Sequence, residues 1–79
     1  MLHKKELKLI LTFYTTADAM ACEDMCKKSG IAGRLIPVPR QLSAGCGMAW
    51  KSDIQDKKAV LQLLADEAVE LEQAVELEV

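Results

Sequence analysis

The chain predicts an α+β fold: a four-stranded antiparallel sheet with two helices on one face, in the order strand, helix, strand, strand, helix, strand. Three observations lead there. Leu7 to Tyr14 is apolar on both alternating faces, as suits a strand inside a sheet. Two stretches with apolar residues at helical spacing each separate a pair of strand-like segments. Near the end, Val75, Leu77 and Val79 alternate with Glu76 and Glu78, a period of two.

Each element follows from local chemistry. In the first strand Leu7, Leu9, Leu11 and Phe13 share one face, and Ile10, Thr12 and Tyr14 the other. Thr15 or Thr16 caps a helix that runs to about Ser29, where Gly30 supplies a left-handed stop. Ala19, Cys22, Met25 and Cys26 form its inner face. The strand from Gly33 to Val38 ends in Pro37 and Pro39, whose missing N–H groups fall on the same side, so it belongs at an edge. A glycine-rich loop follows, and Met48 to Lys51 resumes as a strand. Asp53 is the expected cap of the second helix, with Ile54, Val60, Leu61 and Leu64 inward. Ala65 to Val79 contains no Gly or Pro and would also suit continued helix, but its final alternation favours a strand.

These elements make two βαβ units interleaved as a ferredoxin-like split βαββαβ, with the third strand between the first and second. The loop carrying Cys46 then reaches the same end of the sheet as the start of the first helix, near Thr15 and Thr16.

With 79 residues, the sequence has room for one domain, 1–79, and one core. A chain this short buries only roughly 60% of its unfolded surface, so its 51% of hydrophobic residues must be well used. The 28% of charged residues argues against disorder. The net charge is -2 and the ten Lys and Arg form no stripe, which speaks against a nucleic-acid partner. The apolar run near the start is too short to cross a membrane and lacks the pattern of a secretory signal, so a cytoplasmic location is expected. Three cysteines, an odd number, fit a reducing compartment better than a disulfide framework.

The one concentrated piece of chemistry is Cys46, in the run Pro37-Val38-Pro39-Arg40-Gln41-Leu42-Ser43-Ala44-Gly45-Cys46-Gly47. Gly45 and Gly47 remove bulk on both sides and let backbone N–H groups turn toward the sulfur. The nearby helix start adds partial positive charge, Arg40 can add a full one, and Ser43 offers a hydroxyl. Such surroundings would favour a thiolate and steady a bound anion such as a persulfide. No general base accompanies the thiol, since His3 lies in the N-terminal arm. The same residues have a plainer reading, in which the glycines only let the loop turn and Cys46 is tucked beneath it.

The other candidates read as structural. Cys22 and Cys26, four apart on an inward helix face, behave as small hydrophobes, and two thiols without a CxxC make too few ligands for a soft metal. Trp50 is a packing residue of the third strand, and the acidic run from Asp66 to Glu78 is a solvated face. Neither a metal nor a cofactor is expected.

The segment Arg34-Leu-Ile-Pro-Val-Pro-Arg40-Gln-Leu-Ser43-Ala-Gly-Cys46-Gly47-Met-Ala49 resembles the signature of a selenium/sulfur carrier-like family of small bacterial domains. Members show an extended IPVPR, a serine-rich stretch, then CG followed by a small residue. The resemblance spans nearly the whole chain and implies a cytosolic accessory protein with Cys46 as the carrier cysteine. Arg40, Ser43 and Gly47 match the surrounding motif. Ala44-Gly45 departs from it where a second serine is common, Ala68 and Ala74 stand where glycines often punctuate the last strand, and Cys22 and Cys26 occupy ordinarily apolar positions.

Two functions of different class compete. In the first, Cys46 accepts a sulfane sulfur or selenium from a donor protein of the cysteine desulfurase kind and relays it to an acceptor, which makes the chain an accessory carrier more than a stand-alone enzyme. In the second, the domain is an interaction or regulatory module that pairs into a homodimer through its uncovered sheet face, with Cys46 structural. Soft-metal handling by Cys46 with Cys22 or Cys26 is a third and weaker reading.

Overall fold

The computed structural model describes residues 6–42 and 45–79. The elements are β1 (Leu7–Thr12), α1 (Thr16–Lys28), β2 (Gly33–Pro37), β3 (Met48–Asp53), a 3₁₀ turn (Ile54–Asp56), α2 (Lys57–Asp66) and β4 (Gln73–Glu78). The strands form one antiparallel sheet in the order β2-β3-β1-β4. This is the α+β, ferredoxin-like split arrangement that the sequence predicts.

Register fixes which side chains share a face, because partners directly opposite one another point the same way. Leu9 lies opposite Ser52, Leu11 opposite Trp50, and Leu35 opposite Trp50 on its other side. Leu9, Leu11, Phe13 and Trp50 pack against Ala19, Cys22 and Cys26 of α1 and Val60 and Leu64 of α2, all buried. Both helices therefore cover one face. The opposite face carries Lys8, Ile10 and Thr12 of β1, Arg34 and Ile36 of β2, Ala49 and Lys51 of β3, and Val75 and Leu77 of β4. Ile10, Thr12 and Ala49 are buried there, on the side away from α1 and α2.

Trp50 sits unusually close to β2. A Cβ at Gly33 would collide with the indole ring and stand 2.6 Å from the carbonyl of Lys51. Glycine is thus required by the approach of the ring, not by its backbone angles. Three buried polar atoms, Thr12 Oγ1, Trp50 Nε1 and Ser52 Oγ, have no hydrogen-bond partner among the described residues.

The edge position of β2 is visible in its bonding. The N–H of Val38 donates to the Gly47 carbonyl at 3.1 Å, so the nitrogens of Pro37 and Pro39 on either side face away from β3.

Helix α1 is capped by Thr15, whose Oγ1 accepts from the Asp18 N–H at 3.1 Å. Asp18 in the first turn and Lys27 and Lys28 in the last suit the helix dipole. The second helix departs from expectation. Asp53 makes no capping bond, because its carboxylate accepts from Lys8 Nζ at 2.6 Å across the sheet. A 3₁₀ turn intervenes before α2, and Ile54 is exposed rather than inward.

Both helices end in the same hydrogen-bonded motif. Ile31 N–H donates to Cys26 at 2.9 Å and Gly30 N–H to Lys27 at 3.2 Å. After α2, Val69 donates to Leu64 at 2.9 Å and Ala68 to Ala65 at 3.2 Å. The motif needs a left-handed residue, which is Gly30 at φ +73° in one case and Ala68 at φ +55° in the other. Alanine pays a steric penalty there that glycine does not. Replacing Ala68 with Gly is therefore expected to stabilise the fold by about 0.5–1 kcal/mol, and Gly30→Ala to destabilise it by about as much, read from urea unfolding followed by Trp50 fluorescence.

Candidate functional site

The thiol lies where the β2–β3 loop meets the turn from β1 into α1. A Cβ at Gly45 would stand 3.4 Å from the Tyr14 carbonyl oxygen, so the two backbones nearly touch. This is the end of the sheet that the topology assigns to it, one residue before the Thr15 cap. Gly47 holds φ at +75°, a conformation that a side chain rarely adopts, and its carbonyl closes the loop onto Val38.

Cys46 is half-buried and packs against the rim of the helix-side core. Its Sγ–H donates to the Met48 carbonyl at 3.3 Å. That bond uses the thiol proton, so a sulfur acting as a nucleophile must give it up. Both readings of this residue keep a footing in the geometry: the residue is only half-buried, and its thiol has a structural partner.

The neighbours predicted from sequence divide into three groups. Gly45 and Gly47 flank Cys46 along the chain, the first beside the Tyr14 carbonyl and the second with open space around its Cα. Arg40 is exposed on a turn of the same loop, where Leu42 N–H donates to the Pro39 carbonyl at 2.9 Å, and its guanidinium makes no hydrogen bond or ion pair among the described residues. Ser43 lies outside the described residues, as do Ala44 and His3.

Cys22 and Cys26 are buried within the core. Burial pushes the Cys22 thiol far up from its ordinary 9.0, with Cys26 adding to the effect. Burial also raises Cys26, against a lowering contribution from its hydrogen bond with Cys22. Both stay protonated and unreactive at neutral pH. Among the described residues no three His, Cys, Asp or Glu side chains gather around a point that could hold a metal ion, and no helix is long and apolar enough to cross a membrane.

The strands and the motif loop together correspond to one known family. A sequence model described as "Putative Se/S carrier protein-like" matches residues 8–76. The chain belongs to this family. Comparison with curated proteins and with solved structures finds no match. The matched region includes β2, β3, both helices, the whole loop from Pro37 to Gly47, and all of β1 and β4 but Leu7, Leu77 and Glu78.

Native protein treated briefly with iodoacetamide is expected to gain one label, on Cys46, and two more only after denaturation, as read by peptide mass analysis. The buried thiols also set a pH limit. In the unfolded chain they ionise as pH rises through about 9, while in the folded chain they hold their protons. Stability is therefore complete below pH 9 and falls above it, by at most about 1.4 kcal/mol per pH unit for each thiol. Lys8, raised by its hydrogen bond to Asp53, adds a further loss once pH passes 10.5. Urea midpoints measured from pH 7 to 10.5 should fall, and the fall should flatten in the Cys22→Ala, Cys26→Ala double variant.

Proposed function

We propose that this domain carries sulfur or selenium covalently on Cys46 and passes it between two protein partners. The observation that carries the reading is the contrast among its three thiols: two are sealed in the core, and the third is only half-buried, on a loop between glycines. Membership of the carrier-like family supports the carrier reading.

The transfer is balanced without an oxidant. The Cys46 thiolate attacks the outer sulfur of a donor persulfide, a new S–S bond forms on Cys46, the donor's own S–S bond breaks, and the donor leaves as a thiolate. A nucleophile on the acceptor then attacks the outer sulfur of the Cys46 persulfide, and Cys46 returns as a thiolate. The flanking glycines keep the approach to the sulfur free of side chains, and exposed Arg40 on the same loop contributes positive charge toward an anionic persulfide. Ser43, between Arg40 and Cys46 in the motif, is a hydroxyl donor for the same anion. The donor suited to this chemistry is a desulfurase-type protein in a reducing, cytoplasmic setting.

A second reading, a dimeric interaction module with Cys46 structural, draws on the uncovered sheet face and on the thiol's bond to Met48. One experiment separates the two. Reduced protein is incubated with a cysteine desulfurase and cysteine, beside the Cys46→Ser variant, and intact masses are compared. The carrier reading expects a one-sulfur adduct on the wild type, removed by dithiothreitol and absent from the variant. No adduct, on a protein whose Cys46 also resists alkylation, would leave the interaction module standing.

A further inference from the structure

The far end of the sheet holds a second, differently built feature. Lys8, Ala32, Gly33, Arg34, Lys51, Ser52 and Asp53 line a cavity of about 300 Å³. Arg34 and Lys51 are direct partners across the β2–β3 ladder, so their side chains rise from the same face, the one away from the helices. Lys8 and Asp53 are direct partners across the β1–β3 ladder and rise from that face too. Between these two pairs lies the Gly33–Ser52 pair, whose side positions point to the helix face. The backbone of Gly33 and Ser52 is therefore the floor, and the two charged pairs are its walls.

The walls are not equivalent. Lys8 is already satisfied, bonded to Asp53 at 2.6 Å and to Glu6 at 3.3 Å. Arg34 and Lys51 have no carboxylate within ion-pair distance among the described residues. Like charges placed directly opposite on adjacent strands repel each other and weaken the sheet. That arrangement stands out in a chain of net charge -2, and it becomes favourable once an anion sits between the two cations.

We infer that this cavity binds a phosphate group, held by Arg34 and Lys51. A guanidinium fork matches two phosphate oxygens at once, and an ammonium supplies a second, adjustable point charge. A dianion balances both cations, whereas a monocarboxylate leaves one uncompensated. The volume exceeds what phosphate alone fills and lies at the lower end of small-ligand pockets, so a phosphorylated small molecule fits as well as the free ion. Asp53 and Glu6 stand on the Lys8 side, which confines the anion to the Arg34–Lys51 wall. The site lies on the opposite face from the helix-side rim where Cys46 packs, at the other end of β3, and does not depend on the carrier reading.

The test is a ¹H–¹⁵N titration of the full chain, first with sodium phosphate and then with glycerol 3-phosphate, ionic strength being held constant with sodium chloride. Expected are saturable shifts of the Gly33, Arg34, Lys51 and Ser52 amides, with affinity cut about tenfold or more by Arg34→Gln or Lys51→Gln and unchanged by Lys58→Gln at an exposed position of α2. Both site variants relieve a like-charge contact, so their melting temperatures should not fall, and a loss of binding then reports the site itself. Tighter binding of the ester assigns the site to a phosphorylated molecule, and equal or weaker binding assigns it to the free ion. Shifts that stay linear with concentration, that chloride reproduces, or that persist in the Arg34→Gln, Lys51→Gln double variant would overturn the proposal.

Discussion

The indole of Trp50 lies where any side chain at position 33 would have to be, and this contact ties the two strands that flank the thiol loop. Because Gly33 admits the ring, β2 and β3 can pair with Leu35 opposite Trp50 and both facing the helices. A slip of one residue would turn Leu35 to water and Arg34 into the core. The same register that builds the core also sets where the β2–β3 loop begins and ends, and so brings Gly45, next to Cys46, against the β1–α1 turn. The uncovered face follows from it as well, since Arg34 and Lys51 are opposite each other only in this pairing.

Much of this architecture is legible in the amino-acid pattern because the signals are local or topological. The two-sided apolar character of Leu7 to Tyr14 places β1 inside the sheet, and the spacing of Pro37 and Pro39 places β2 at its edge. The meeting of the Cys46 loop with the start of α1 follows from strand order alone, and the approach of Gly45 to Tyr14 bears it out. Cys22 and Cys26 read as core from helical spacing, and they are core.

What the pattern leaves unread depends on residues far apart in sequence. Asp53 has the chemistry of a helix cap, but Lys8, its cross-strand partner, takes its carboxylate first. Ala68 gives no stop signal of its own, yet the hydrogen bonds from Val69 and Ala68 back into α2 impose a left-handed turn on it. The cavity beside Arg34 and Lys51 needs the register of two strands joined by a long loop, which no local window contains. Arg40 shares the loop with Cys46 in sequence, but it stands in solvent without a hydrogen-bond or ion-pair partner among the described residues.

The outward-facing nitrogens of Pro37 and Pro39 bear on the domain's behaviour in a crowded solution. An exposed strand is a template onto which another chain can add its own, and such growth needs donors along the free edge. At the end of β2 next to the thiol loop, Pro37 and, just beyond the strand, Pro39 leave two of those donors missing, so a foreign strand finds no continuous ladder there. The opposite edge, β4, carries Glu76 and Glu78, whose charges oppose a second acidic strand laid beside them. Missing donors at one edge and negative charge at the other thereby both oppose edge-to-edge growth of this small sheet.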